Sequence, residues 1–77
     1  MTNDGMPDNV CAVLLMAWRY DVLDVCDFYD LARRFGDDWT ALAREVANRA
    51  RADQELELHK VAQIRRLALD VQADHPV

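Results

Sequence analysis

Val10-Cys11-Ala12-Val13-Leu14-Leu15-Met16-Ala17-Trp18 is an unbroken run of nine apolar residues, bounded by Asp8-Asn9 on one side and Arg19 on the other. A helix that crosses a bilayer needs about 20 such residues, so the run is too short to span a membrane. It is also apolar on every side, and a helix of that kind is normally buried on every side. A chain of 77 residues has little material with which to do this. A second copy of the chain, or another protein, is therefore expected against part of the run. A two-fold dimer, in which one patch meets itself, is the simplest closed arrangement. Each large side chain buried there contributes about 1.5–3 kcal/mol, whereas an exposed patch of this size promotes aggregation.

Downstream of the run, Cys11, Leu15, Trp18, Val22, Val25, Tyr29 and Ala32 recur at alternating steps of four and three, the period of one helix face. No Gly or Pro interrupts that phase. The preferred reading is a single helix over residues 9–35, capped by Asp8 or Asn9. A break at Tyr20-Asp21, with Asp21 as a new cap, is the alternative. On a single helix this stripe faces the core, chiefly Trp39, Leu42, Val46 and the last helix, while Val10, Val13, Leu14 and Met16 are left as surplus. The candidate self-association residues are Val10, Val13, Leu14, Leu15, Met16 and Trp18.

Gly36 is the strongest stop signal in the chain, since glycine takes the left-handed position beyond a helix end without steric cost. Arg33 and Arg34 sit favourably in the last turn before it. Asp37 or Asp38 then caps a new helix, and Phe35 and Trp39 are expected to staple the corner. From Trp39 nothing breaks a helix until Pro76. The apolar positions Trp39, Leu42, Ala43, Val46 and Ala50 fade across Arg51–Glu57 and resume at Leu58, Val61, Ile64, Ala68 and Val71. That fade predicts a bend or break near 48–53, with Asp53 as a cap. The fold class is all-α: a small helical bundle of two long helices, 9–35 and 38–73, the second bent or broken to give three, dimerised through the N-terminal helix. Residues 1–8 are expected to form a flexible tail, 9–74 a single helical domain and 75–77 a frayed end.

One core of this size supplies roughly 3–5 kcal/mol, so small domains add disulfides, a metal or oligomerisation. Two cysteines do not make a disulfide scaffold. On one straight helix Cys11 and Cys26 would lie about 22 Å apart, too far to bond, and both read as small buried hydrophobes in a reducing compartment. The residues before the apolar run carry Asp4 and Asp8 and no base, unlike a secretory signal, so a cytoplasmic location is expected. Eight Arg against one Lys, eleven Ala and no Ser suggest a GC-rich coding sequence of a bacterium or phage.

The net charge is −5. Residues 1–40 hold eight acids and three bases, giving −5, and residues 41–77 hold six of each, giving zero. The first half therefore carries the whole surplus. Asp21, Asp24, Asp27 and Asp30 recur every third residue, climbing about 4.5 Å per step on a helix. With Asp37 and Asp38 they form a candidate acidic ridge for a basic partner; the plainer reading is the solvated side of an amphipathic helix. Aspartate is a poorer helix former than glutamate, so four of them in ten helical residues cost some helicity, which is the weakness of the plainer reading.

Little points to catalysis. Gly5 and Gly36 are the only glycines, so no phosphate-binding loop exists. His59 beside Glu55 and Lys60 reads as a local ion pair or an exposed imidazole, and no cluster of metal-ligand spacing is present. No catalytic residue, metal or cofactor is expected. The run Phe35–Arg49 resembles the first turn and second helix of Myb and SANT modules. It lacks their repeated tryptophans, and Asp53, Glu55 and Glu57 stand where a DNA-reading helix would be basic, so no function is carried over. The leading expectation is an acidic protein–protein interaction module, a homodimeric regulator or inhibitor that binds a basic surface. The alternative is a DNA-binding regulator using the Gly36 corner and Arg49, Arg51, Arg65 and Arg66, against which the net charge argues.

Overall fold

The structure, a computed structural model, describes residues 5–74. The other expected tail and end positions, 1–4 and 75–77, lie outside the described residues. Four helices follow in order: α1 (Asp8–Arg19), α2 (Val25–Phe35), α3 (Trp39–Ala52) and α4 (Leu58–Asp74). The described residues contain no strand. The all-α expectation holds; the count of two or three helices does not.

The predicted helix 9–35 is two helices, and the reason lies in backbone hydrogen bonding at Asp21. Its φ of 61° is left-handed, the one such non-glycine among the described residues. The Asp21 N–H donates to the Trp18 carbonyl at 3.1 Å and the Val22 N–H to the Ala17 carbonyl at 2.8 Å. These are the paired bonds of a Schellman ending, which satisfies the last carbonyls of α1. Aspartate tolerates this conformation better than most side chains, so no glycine is required. The new cap is Asp24 rather than Asp21. The Asp24 carboxylate accepts the Asp27 N–H at 2.9 Å, and the Asp27 carboxylate accepts the Asp24 N–H at 3.0 Å. That reciprocal pair is a capping box.

At the other ends the local signals match in kind and differ in detail. α1 starts after Pro7 rather than at an Asp8 or Asn9 cap, and the Val10 and Cys11 N–H groups donate to the Pro7 carbonyl. α2 stops at Gly36, whose φ is 58°. A Cβ there would meet nothing within 4 Å, so glycine serves the backbone turn and not a close approach. Asp38 caps α3 by accepting the Ala41 N–H at 3.2 Å. The second long helix is broken, as expected, but at residues 53–57. Asp53 closes α3 rather than capping α4, and its carboxylate accepts the Glu55 N–H at 3.0 Å.

The core is built from narrow stripes. α1 contributes Val10, Val13 and Ala17, α3 contributes Leu42, Ala43, Val46 and Ala50, and α4 contributes Ile64, Ala68 and Val71. Steps of three and four, with Leu42 adjoining Ala43 on α3, put each set on one face. Four alanines in this list let the helix backbones approach closely. α3 lies at the centre, packed against each of the other helices, and α1 also packs on α4. The turn after α1 is tied to α4 as well, since the Tyr20 hydroxyl donates to Gln63 Oε1 and Lys60 Nζ sits 5.1 Å from the Tyr20 ring centre.

The inward face of α1 is the opposite of the one expected. Val10 and Val13 are fully buried in the chain's own core, so they are not surplus surface. Leu15 is 66% exposed and Tyr29 69%, and Trp18 and Val25 are also exposed, so the stripe expected to face the core faces outward. The cysteines are not both buried either: Cys11 is half-buried and Cys26 exposed.

Candidate functional site: an apolar cleft between the first two helices

α2 is attached differently from the other helices. Its backbone comes close to α3 only. It buries a single side chain fully, Leu31, with Phe28 and Phe35 partly covered. On the α3 side it is latched by Arg49, whose guanidinium lies 3.2 Å from Asp27 and 3.7 Å from Asp30 and is held by Glu45 at 3.0 Å. The hydrogen bond to Glu45, with the further field of Glu45, Asp27 and Asp30, raises the Arg49 pKa against the opposing effect of burial. α1 reaches α2 through one aromatic stack, Trp18 on Phe28, with ring centres 5.3 Å apart.

Elsewhere the two helices stand apart, and an open cleft of about 560 Å³ lies between them. One wall is Cys11, Leu14 and Leu15 of α1, and the other is Phe28, Tyr29 and Ala32 of α2. Leu31, Trp39 and Leu42 form the floor, with Met6 and Gly36 at the edge. Among the described residues no charged one lines it. Met6, expected in the flexible tail, packs against the core here. The glycine at position 36 adds no side chain at its edge.

The six candidate self-association residues therefore divide. Val10 and Val13 belong to the core, Leu14 and Met16 are half-buried against it, and Leu15 and Trp18 are exposed. Only Leu14 and Leu15 of the six line the cleft. The nine-residue run is apolar all round because one face meets α3 and α4 while another forms a cleft wall.

The acidic ridge divides too, and the preference for aspartate acquires a cause. Asp21 occupies the left-handed turn, Asp24 is the cap, Asp27 completes the capping box and bonds Arg49, and Asp30 pairs with Arg34 at 3.6 Å and with Arg49. Asp38 caps α3 and Asp37 is exposed in the corner. Short carboxylates suit turns and caps, where a glutamate would reach past the backbone amides. The six do not form one continuous ridge, since Asp21 and Asp24 stand outside helices and Asp27 and Asp30 turn toward α3.

The arginines named for the alternative reading also separate. Arg49 faces α2. Arg51 and Arg65 border a smaller cleft between α3 and α4, together with Arg44. His59 is exposed. Among the described residues no group of three or more His, Cys, Asp or Glu could hold a metal ion, and no helix is long and apolar enough to cross a membrane. Sequence reading missed the cleft itself; the available signal was the high apolar content of the outward stripe on both α1 and α2. No protein-family model matches the chain, no curated protein matches it, and no solved structure matches its fold.

Proposed function

We propose that the protein is an interaction module that takes the apolar face of a basic amphipathic helix into the cleft between α1 and α2, and so regulates or inhibits the protein that carries the helix. The observation that supports this most is the uncharged lining of the cleft, set in the half of the chain that holds the entire −5 surplus. Helix-in-groove recognition uses apolar anchors along one helix face. The acid surplus of the first half favours a ligand with Lys or Arg flanking those anchors, and speeds its encounter. The cleft has the size of a small-molecule site, about 300–1,000 Å³. Among the described residues its side chains offer only the Cys11 thiol, the Tyr29 hydroxyl and the Trp39 indole N–H to orient a small molecule.

Self-association through the same cleft is the competing reading. Leu15 and Tyr29 offer the side chains that such a cleft accepts, and burying them would complete the coverage of α1. Two copies would, however, bring two acidic surfaces together.

Both tryptophans report on this region, since Trp39 lies in the floor and Trp18 stacks on Phe28. The test titrates the protein with a designed amphipathic helix of about 18 residues, five turns at 3.6 residues each, carrying Leu anchors and Lys flanks. A version with Glu flanks is the control, and sedimentation gives the oligomeric state. The Lys helix is expected to shift tryptophan emission saturably, more weakly at high salt, and to lose binding to the Leu15→Glu/Tyr29→Glu variant. Both substitutions are at exposed positions, so the variant should keep its helical circular dichroism. Equal binding of both peptides, or undiminished binding by the variant, would refute the proposal. A parent dimer that the variant dissolves would establish self-association instead.

A further inference from the structure

A second cleft, of about 140 Å³, lies between α3 and α4 and shares no residue with the apolar one. Its lining is of a different kind. Arg44, Asn48 and Arg51 come from α3, and Arg65 and Gln72 from α4. Ala47 and Ala68, small and on the facing helices, leave room between these longer side chains. Leu69 of α4 is its one larger apolar side chain, and among the described residues no carboxylate lines it. The remaining cations on these two helices are neutralised, Arg49 by Glu45, Asp27 and Asp30, and Lys60 by Glu57, with Arg66 the exception. Among the described residues Arg44, Arg51 and Arg65 make no ion pair.

Three arginines border this one small cleft, and a protein with surplus acid elsewhere leaves them without an ion pair. Guanidinium groups only donate hydrogen bonds, and the two side-chain amides add more donors. A donor set of this kind is matched by a compact anion with several acceptor oxygens and more than one charge. We propose that this cleft binds a phosphoryl group, as free phosphate or a small phosphate monoester, with Arg44, Arg51 and Arg65 as its cationic ligands and Asn48 and Gln72 as further donors. Arginine's planar fork suits phosphate oxygens, which it can engage in pairs. A nucleic acid fits less well. Its phosphates come in long rows of single charges, and beyond the cleft those rows would meet a chain of net charge −5.

The test follows the arginine side-chain N–H resonances while inorganic phosphate, and separately phosphoserine, is added at constant ionic strength. Saturable shifts confined to Arg44, Arg51 and Arg65 are expected, absent when chloride is added alone. Arg51→Gln should weaken binding about tenfold, the scale of one lost charge-assisted pair, whereas Arg33→Gln, outside the cleft, should not change it. Affinity should rise as pH passes about 6, where a phosphomonoester gains its second charge. Shifts of similar size at Arg19 and Arg33, or none that saturate, would overturn the proposal. Binding of duplex DNA tighter than phosphoserine, with a steep salt dependence and loss in Arg51→Gln, would overturn it in favour of a nucleic-acid surface.

Discussion

Arg49→Met tests how α2 is held on the domain, and with it the shape of the apolar cleft. Methionine keeps most of the packing of the arginine stem and removes the guanidinium. Three contacts go with it. The bond to Glu45 lies within α3 at i,i+4 spacing and contributes about 0.3–0.5 kcal/mol. The bond to Asp27 is charge-assisted and joins the two helices, between side chains 26% and 36% exposed; discounted for that exposure it is worth about 1 kcal/mol. The longer contact to Asp30, itself 53% exposed, adds a few tenths. The expected loss is about 1.5–2 kcal/mol, against a total of roughly 3–5 for a domain of this size. In urea, with a slope near 1 kcal/mol per molar, the unfolding midpoint should fall by about 1.5–2 M. Salt should narrow the gap, because the Debye length shrinks to about 3 Å at 1 M. Hydrogen exchange should locate the loss: α2 amides should exchange faster relative to those of α3 and α4, since α2 has the fewest other attachments. A midpoint unchanged by the substitution would refute the latch. So would a difference indifferent to salt, or exchange accelerated equally in α4.

Other substitutions probe single devices. Asp24→Ala removes one half of the capping box and should cost about 1 kcal/mol in chemical denaturation, with Asp24→Ser recovering most of it. Asp21→Val places a β-branched residue at φ 61° and should cost about 1–2 kcal/mol, whereas Asp21→Gly should stay within about 0.5 kcal/mol of the parent. Leu31→Ala should cost about 2–3 kcal/mol by urea denaturation, in the lower part of the usual range because the residue borders an open cleft into which neighbours can relax. The Glu57 carboxyl should titrate below the ordinary 4.5, chiefly because Lys60 hydrogen-bonds it and adds its charge. A depressed folded value means that its contribution is present above 4.5 and lost as pH falls through the folded midpoint. A side-chain carbon titration should show this, with the midpoint returning toward 4.5 in Lys60→Met.

The helical class, the Gly36–Asp38 corner and the existence of a break before the last helix were legible in the sequence, because each rests on local chemistry: a period of three to four, a glycine at positive φ followed by a capping aspartate, and an apolar period that fades across Arg51–Glu57. The sequence also exposed the central tension, a nine-residue run apolar on every side. Tertiary structure decided how that tension resolves. Periodicity defines stripes without saying which one faces inward. The larger side chains, Leu15, Trp18 and Tyr29, make the stronger stripe by hydrophobicity. Close packing of α1 on α3 and α4 instead selects the narrower one, Val10, Val13 and Ala17. The spacing of the aspartates was equally ambiguous, since steps of three suit a helical ridge and also a turn followed by a capping box. Only a left-handed backbone at Asp21 separates the two, and aspartate takes that conformation without the glycine that would have announced it. Once α1 and α2 are separate helices, Cys11 and Leu15 of the outward stripe face Tyr29 and Ala32 across a cleft, and the surplus apolar surface of Val10–Trp18 lies at Leu15 there and at Trp18 against Phe28, an arrangement that no periodicity encodes.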